Sequence, residues 1–155
     1  MDYWFSVHVI AELAADMEAK GIAFYRRLQE AASNTTISDM CAFFAGQEQE
    51  HRAKFLAIAK AHRASERALC YPVDVCGMLK ASMRELEMLL DGESSPARSQ
   101  TIASDSLAVA VRVEETAISV YTKMTETYTA SFSAVLAEVL EEERRPALAV
   151  EHLAD

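Results

Sequence analysis

Residues 16–28 read DMEAKGIAFYRRL, and this stretch contains both a helix signal and a polar residue that interrupts it. Apolar side chains recur at steps of three and four over residues 6–32, and Gly21 continues the stripe. This period predicts one long amphipathic helix with one face in a protein core. Glu18 falls inside the stripe, seven residues before Tyr25. A carboxylate at such a position needs a partner, because an unpaired buried charge costs several kcal/mol.

The same rhythm predicts three further long helices. The cap-type residues SNTTISD at 33–39 precede a second helix, which we expect to end near residue 63. A third helix is predicted from about residue 104 to residue 128, and a fourth from about residue 131 toward the end of the chain. The short links within each pair make the two helices of that pair antiparallel neighbours.

The region between the two pairs, residues 64–100, has a different character. Tyr71-Pro72 interrupts it, Gly77 follows, and DGESSP at 91–96 is a loop signal. Between them, one short helix is predicted at 78–90. Two hairpins joined by one long connection have the connectivity of ferritin-like folds. We therefore predict an all-α fold, a ferritin-like four-helix bundle with a long crossover, as a single domain over residues 1–155.

Composition excludes several classes of function. The chain has 155 residues and a formal net charge of −9, which disfavours nonspecific binding to nucleic acid or anionic lipid and favours cations as ligands. Its 3 cysteines are odd in number and form no C-x-x-C pair. Neither a disulfide framework nor a rubredoxin-like or zinc-knuckle module is therefore supported.

The ends and the apolar runs of the sequence bear on its location. The first residues have no basic segment followed by a long apolar run, so no signal peptide is predicted. No stretch reaches the roughly 18 uncharged apolar residues that a membrane helix needs. We expect a cytoplasmic protein.

Two polar residues interrupt the apolar stripe of the second helix. Glu48 lies four residues after Phe44, and His51 lies four residues before Phe55. Both side chains therefore share the core-facing side of that helix, one turn apart. A bound cation would remove the cost of burying them.

The second half of the chain repeats this design. Glu114 precedes Tyr121 by seven residues, as in the first helix, and the offset between the two glutamate–tyrosine pairs is 96 for both members. The fourth helix then carries three consecutive glutamates, of which Glu142 lies 28 residues after Glu114, close to the 30 that separate the glutamates of the first half. An internal two-fold repeat is the natural interpretation.

Three segments carry a family resemblance. The stretch DMEAKGIAFYRRL, followed by FFAGQEQEHRAKF at 43–55, resembles the rubrerythrin-like branch of the ferritin-like superfamily. The stretch LAVAVRVEETAISVYTKM at 107–124 resembles the third helix of that family. By this resemblance five residues fall on metal-ligand positions: Glu18, Glu48, His51, Glu114 and, as the fifth, Glu142.

The resemblance implies a non-haem iron protein with redox activity, either peroxide reduction or ferrous oxidation. It implies one or two iron ions per chain, with manganese or zinc as alternatives. Glu18 and Glu114 would be terminal or bridging ligands, Glu48 a bridge and His51 the terminal imidazole. Because the chain contains no rubredoxin module, electrons would come from a separate donor protein. A homodimer is expected, with no nucleic-acid or membrane partner.

The fourth helix departs from the family pattern. The family places a second histidine three residues after the carboxylate, but this chain has EEERRP, so Glu142 leads to Arg145 and Glu143 leads to Pro146. A two-iron centre, a single metal ion and a metal-free site closed by Arg145 all remain open. The rival function is a noncatalytic helical scaffold with a degenerate metal site, and a third possibility is metal storage or sensing without turnover.

Tyr25 and Tyr121 lie one heptad after their glutamates. Such tyrosines are hydrogen-bond donors to metal ligands, radical-prone neighbours of a metal, or core residues with a solvated hydroxyl group. We interpret them as core residues.

Overall fold

A computed structural model describes residues 6–63, 73–92, 102–127 and 133–144 of this chain. The helices are α1 (Val7–Ala31), α2 (Thr35–His62), α3 (Val73–Gly92), α4 (Ile102–Thr127) and α5 (133–144). These ranges contain no strand, so the all-α prediction is confirmed. No helix in this part of the chain combines the length and the apolar character that crossing a bilayer requires.

The first hairpin forms as its sequence predicts. The side chain of Asn34 accepts a hydrogen bond from the backbone N–H of Thr36 at 2.8 Å, so the polar segment caps the start of α2. The link between α1 and α2 is short, and the side chain of Arg63, just after α2, donates to Glu12 near the start of α1. The two helices therefore run antiparallel.

The crossover helix α3 is longer than the predicted 78–90, since it runs from Val73 to Gly92. Gly77 does not interrupt it, because a helical glycine costs only about 1 kcal/mol relative to alanine. Of the predicted loop at 91–96, the first two residues belong to α3 and the others lie outside the described residues. α3 packs against α4 and α1.

Large apolar side chains fill the centre of the bundle, as the stripes predict. Fully or almost fully buried examples come from every helix: Ile10, Met17, Phe24, Phe44, Phe55, Leu86, Val120, Met124, Leu136 and Val139. Burying each such side chain stabilises the fold by roughly 1.5–3 kcal/mol. The buried carboxylate and imidazole side chains within the described residues are few and come from four helices: Glu18, Glu48, His51, Glu114 and Glu143.

Candidate metal centre

Four of these buried side chains meet in the middle of the bundle. Glu18 comes from α1, Glu48 and His51 from successive turns of α2, and Glu143 from α5. One nitrogen or oxygen atom from each of them lies within 4.8 Å of all the others. We call Glu18, Glu48, His51 and Glu143 the carboxylate–histidine cluster.

The two ring nitrogens of His51 have different surroundings: Nδ1 faces the other residues of the cluster, and Nε2 faces away from them. Its Nε2 lies 2.7 Å from Oε2 of Glu142, a hydrogen bond in which the ring N–H donates to the carboxylate. Its Nδ1 faces inward and lies 2.9 Å from Oε1 of Glu143, 3.8 Å from Oε2 of Glu48 and 4.0 Å from Oε2 of Glu18. The approach to Glu143 is an ion pair when His51 is protonated, but none of these inward approaches has hydrogen-bond geometry, so Nδ1 has no hydrogen-bond partner.

The cluster is also poor in hydrogen bonds on its carboxylate side. Neither oxygen of Glu143 has a hydrogen-bond partner, although the side chain is only 1% exposed. The Oε2 atom of the neighbouring Glu114 is buried and unpaired as well. Buried polar atoms are almost always paired in folded proteins, so a group of unpaired donor atoms facing one another is the arrangement expected of a cation site.

The burial of the cluster and the proximity of its groups favour the protonated forms of several of them. Burial, together with the charge of Glu48, raises the pKa of Glu18 well above its ordinary value. Burial and the charge of Glu143 likewise raise the pKa of Glu48 and, more strongly, that of Glu114. Burial lowers the pKa of His51, but the carboxylates of Glu143 and Glu48 outweigh it and raise that pKa to about 10.

Two tyrosines tie the two halves of the bundle together. The hydroxyl group of Tyr25 on α1 donates to Oε1 of Glu114 on α4, and the hydroxyl group of Tyr121 on α4 donates to Oε1 of Glu18 on α1. Both tyrosines are fully buried. The prediction that they are core residues is confirmed, but the prediction that their hydroxyl groups are solvated is wrong, because each hydroxyl group donates to a buried carboxylate. The heptad spacing in the sequence was the available signal.

An aromatic ring from α2 packs against each of these tyrosines. The ring of Tyr25 lies 5.3 Å from that of Phe44, centroid to centroid, and the ring of Tyr121 lies 5.3 Å from that of Phe55. These distances fall within the favourable range for aromatic pairs. Each tyrosine is thus held by an α2 ring on one side and a carboxylate on the other.

A small cavity opens on the side of the cluster between α1, α3 and α4. Its carboxylate wall is formed by Glu18, Glu48 and Glu114, and its apolar wall includes Leu86 and Val113. It holds about one water-sized molecule. A small molecule there would lie beside three carboxylates in an otherwise apolar enclosure.

The five residues predicted as ligands do not all reach the cluster. Glu18, Glu48 and His51 belong to it, and Glu114 lies beside it, bonded to Tyr25. Glu142 does not enter: its side chain is 24% exposed and contacts His51 from outside. The structure places Glu143 inside instead, and this corrects the predicted register of the fourth helix.

The reason for the error is that three consecutive glutamates carry no periodic signal of their own. Successive helical residues are rotated by about 100°, so only one of the three can face the core. Leu136 is fully buried, and Glu143 lies one heptad after it on the same face. Glu143 also lies 29 residues after Glu114, closer to the spacing of 30 in the first half. Both signals were present in the sequence.

Glu142, the half-buried partner of His51, is also bonded to a lysine of α2. Lys54 Nζ lies 3.2 Å from Oε2 of Glu142 and 2.9 Å from Oε1 of Glu138. Burial raises the pKa of Glu142, but hydrogen bonds from His51 and Lys54 outweigh it and lower that pKa below its ordinary value. Glu142 is therefore a stable acceptor for the Nε2–H group and fixes which nitrogen of His51 points inward.

The residue three positions after Glu143 is Pro146, so the sequence supplies no histidine at that position. Arg145 and Pro146 both lie outside the described residues. The hypothesis that Arg145 closes a metal-free site stays a prediction.

Comparison with known proteins supports the fold. No protein-family profile matches the chain, and no curated protein sequence matches it either. Among solved structures, it is similar to a crystal structure at 2.30 Å of a protein from Thermotoga maritima, described as a candidate ferritin-like diiron-carboxylate protein. The TM-score is 0.70 at 16% sequence identity, over 99% of this chain and 97% of the other. The chain therefore has a ferritin-like fold, an all-α bundle of two helical hairpins with α3 in the crossover.

Proposed function

We propose that this chain is a non-haem iron protein and that the carboxylate–histidine cluster binds the metal. The observation that carries the proposal is the convergence of buried atoms without hydrogen bonds. His51 Nδ1 and both oxygens of Glu143 face the same small region as the carboxylates of Glu18 and Glu48. A cation at that place would pair all of them at once.

The chemistry of the donor set favours iron over the alternatives. One imidazole nitrogen with several carboxylate oxygens suits iron and manganese, and it also accepts zinc. The structural neighbour is described as a diiron-carboxylate protein, which supports iron among these three. Manganese and zinc are the competitors that a metal assay must include.

The two halves of the site supply different numbers of ligands, and this favours the tight binding of one metal ion. The ligands for a first ion would be Glu18, Glu48, His51 and Glu143. A second ion would rely on Glu114 and shared carboxylates, because Pro146 occupies the position where the repeat would supply an imidazole. We infer a tightly bound first ion and a weaker second one.

The proposed activity is redox chemistry on peroxide, on oxygen or on ferrous ion, in the manner of the rubrerythrin-like branch. Bound iron would supply the one-electron steps. The chain itself would hold the metal and release protons from the cluster on binding, while Tyr25 and Tyr121 orient the carboxylates of Glu114 and Glu18. The cavity has room for about one water-sized molecule, and it lies next to three of the carboxylates. A separate electron donor protein and a homodimer remain predictions from the resemblance.

The test is metal content per chain after anaerobic loading with ferrous iron and desalting, measured by elemental analysis. We expect about one tightly bound iron in the wild type, and a second at higher iron concentration. His51→Ala should lose the tight ion, whereas His62→Ala, at the C-terminal end of the same helix, should keep it. Peroxide consumption by the loaded protein, with a supplied reductant, then tests the redox assignment. Absence of iron from the wild type would refute the proposal.

A further inference from the structure

Gly21 occupies a position in α1 where glycine is locally unfavourable. It lies inside a 25-residue helix, three residues after Glu18, and it is buried. Glycine in a helix interior is less stable than alanine. No described glycine has a positive φ, so backbone conformation does not require glycine at this position. The remaining explanation is space.

The space is filled by Glu48. A Cβ atom on residue 21 would lie 3.3 Å from Cδ of Glu48, 3.4 Å from its Cγ and 3.6 Å from its Oε2. The contact of 3.3 Å with Cδ is tighter than an ordinary van der Waals contact, so the Glu48 side chain would have to shift by a few tenths of an ångström. Glu48 is 6% exposed and lies beside Glu18 and His51, so the open space left to its side chain is the small cavity that it lines together with Gly21.

The internal repeat supplies a comparison. Ala117 lies three residues after Glu114, as Gly21 lies three residues after Glu18, and it is buried in α4. The second half of the chain therefore accommodates a Cβ atom at the equivalent place. Glycine is therefore required only in the first half of the chain, at position 21, where the side chain of Glu48 lies close to α1.

We propose that Gly21 is a positioning residue for Glu48: the missing side chain sets where the Glu48 carboxylate stands within the carboxylate–histidine cluster. This inference rests on the proposed function of that cluster. An added methyl group would displace the carboxylate and weaken metal binding, although the same change favours the helix. Metal affinity and stability should therefore change in opposite directions.

The experiment compares Gly21→Ala with Gly46→Ala. Gly46 lies on the exposed face of α2, and a Cβ atom there would meet nothing within 4 Å. Mn²⁺ is titrated anaerobically into each protein, and the free ion is followed by electron paramagnetic resonance. We expect the dissociation constant of Gly21→Ala to rise about 10-fold or more, a size typical of changes beside a metal ligand. Gly46→Ala should match the wild type. A change of less than about twofold in Gly21→Ala would overturn the proposal.

A second comparison separates positioning from general packing. Glu48→Asp shortens the side chain by one methylene and makes room for the added methyl group. In a double-mutant cycle, Gly21→Ala should therefore weaken Mn²⁺ binding less in the Glu48→Asp background than in the wild type. Equal effects in both backgrounds would contradict a role through Glu48.

The crystal structure of metal-free Gly21→Ala gives a readout that does not need metal binding. The Glu48 carboxylate should be displaced relative to the wild type, with α1 and α2 superimposable. If the wild type binds neither iron nor Mn²⁺, the proposed function fails, and this structure alone decides the role of Gly21. A Glu48 side chain in its original place, or a variant that does not fold, would contradict the inference.

Discussion

His51 and Glu142 are joined across the bundle by a hydrogen bond of 2.7 Å between Nε2 and Oε2. This contact leaves Nδ1 as the nitrogen that faces the carboxylates. A residue outside the cluster thus orients the imidazole inside it, which is the usual role of a carboxylate behind a metal-bound histidine. The three consecutive glutamates of α5 have three different environments: Glu141 is exposed, Glu142 is half-buried beside His51, and Glu143 is buried in the cluster.

The first prediction uses these three glutamates as matched sites. Glu143→Gln should abolish tight metal binding because it removes a charged donor from the cluster. Glu142→Gln should weaken binding about 10- to 100-fold, since it alters only the partner of His51. Glu141→Gln, on the exposed side of the helix, should leave binding unchanged. Titration with Fe²⁺ under anaerobic conditions measures all three, and a larger loss from Glu142→Gln than from Glu143→Gln would show that the register is wrong.

The second prediction concerns the crossed tyrosines. Tyr25→Phe leaves both oxygens of the buried Glu114 without a hydrogen bond, and Tyr121→Phe removes the equivalent donor to Glu18. Each change should lower the free energy of unfolding of the metal-free protein by about 1–3 kcal/mol. Urea-induced unfolding at neutral pH measures it. Ser119→Ala, an exposed hydroxyl on α4, is the control, and equal effects in control and tyrosine variants would refute this account.

The third prediction is the pH dependence of the metal-free protein. The pKa values of Glu18, Glu48, Glu114 and His51 are all raised in the folded state. Their contribution to stability is complete below the unfolded pKa values, about 4.3 for glutamate and about 6.5 for histidine, and is lost as the pH rises through the folded values. The thermal midpoint should therefore fall between about pH 5 and pH 9.

The pKa of His51 is raised to about 10, so His51→Gln should reduce the slope of stability against pH above neutrality. Gln49→Ala, at an exposed position of the same helix, is the control and should leave that slope unchanged. Metal affinity should follow the opposite course and increase with pH, because the ligands must lose their protons to bind a cation. A thermal midpoint that rises with pH in the metal-free protein would contradict the assigned burial of the cluster.

The fourth prediction tests the packing beside the site with adjacent residues. Phe44 is buried against Tyr25, whereas the neighbouring Phe43 is 62% exposed. Phe44→Ala should lower the free energy of unfolding by about 3–5 kcal/mol through the cavity it creates. Phe43→Ala should cost less than about 1 kcal/mol. Similar losses in chemical denaturation would mean that α2 is rotated from the described orientation.

Much of the fold follows from the sequence because helical period and turn residues are local properties. The stripe around Glu18 and the cap at Asn34 depend on residues a few positions apart, and both were predicted correctly. The same period marked Glu48, His51 and Glu114 as interior residues. α3 was predicted too short, because a glycine was weighted as an interruption although its cost in a helix is small.

The sequence by itself determined which helices form and which polar residues share their apolar faces, since these depend on spacing along one helix. The tertiary structure decided what those residues meet. It placed Glu143 rather than Glu142 in the cluster, joined Tyr25 to Glu114 across the bundle, and set the Glu48 carboxylate against Gly21. These relationships are distances between atoms on different helices. They depend on the rotation and depth at which the helices pack, which side-chain packing across the whole core determines.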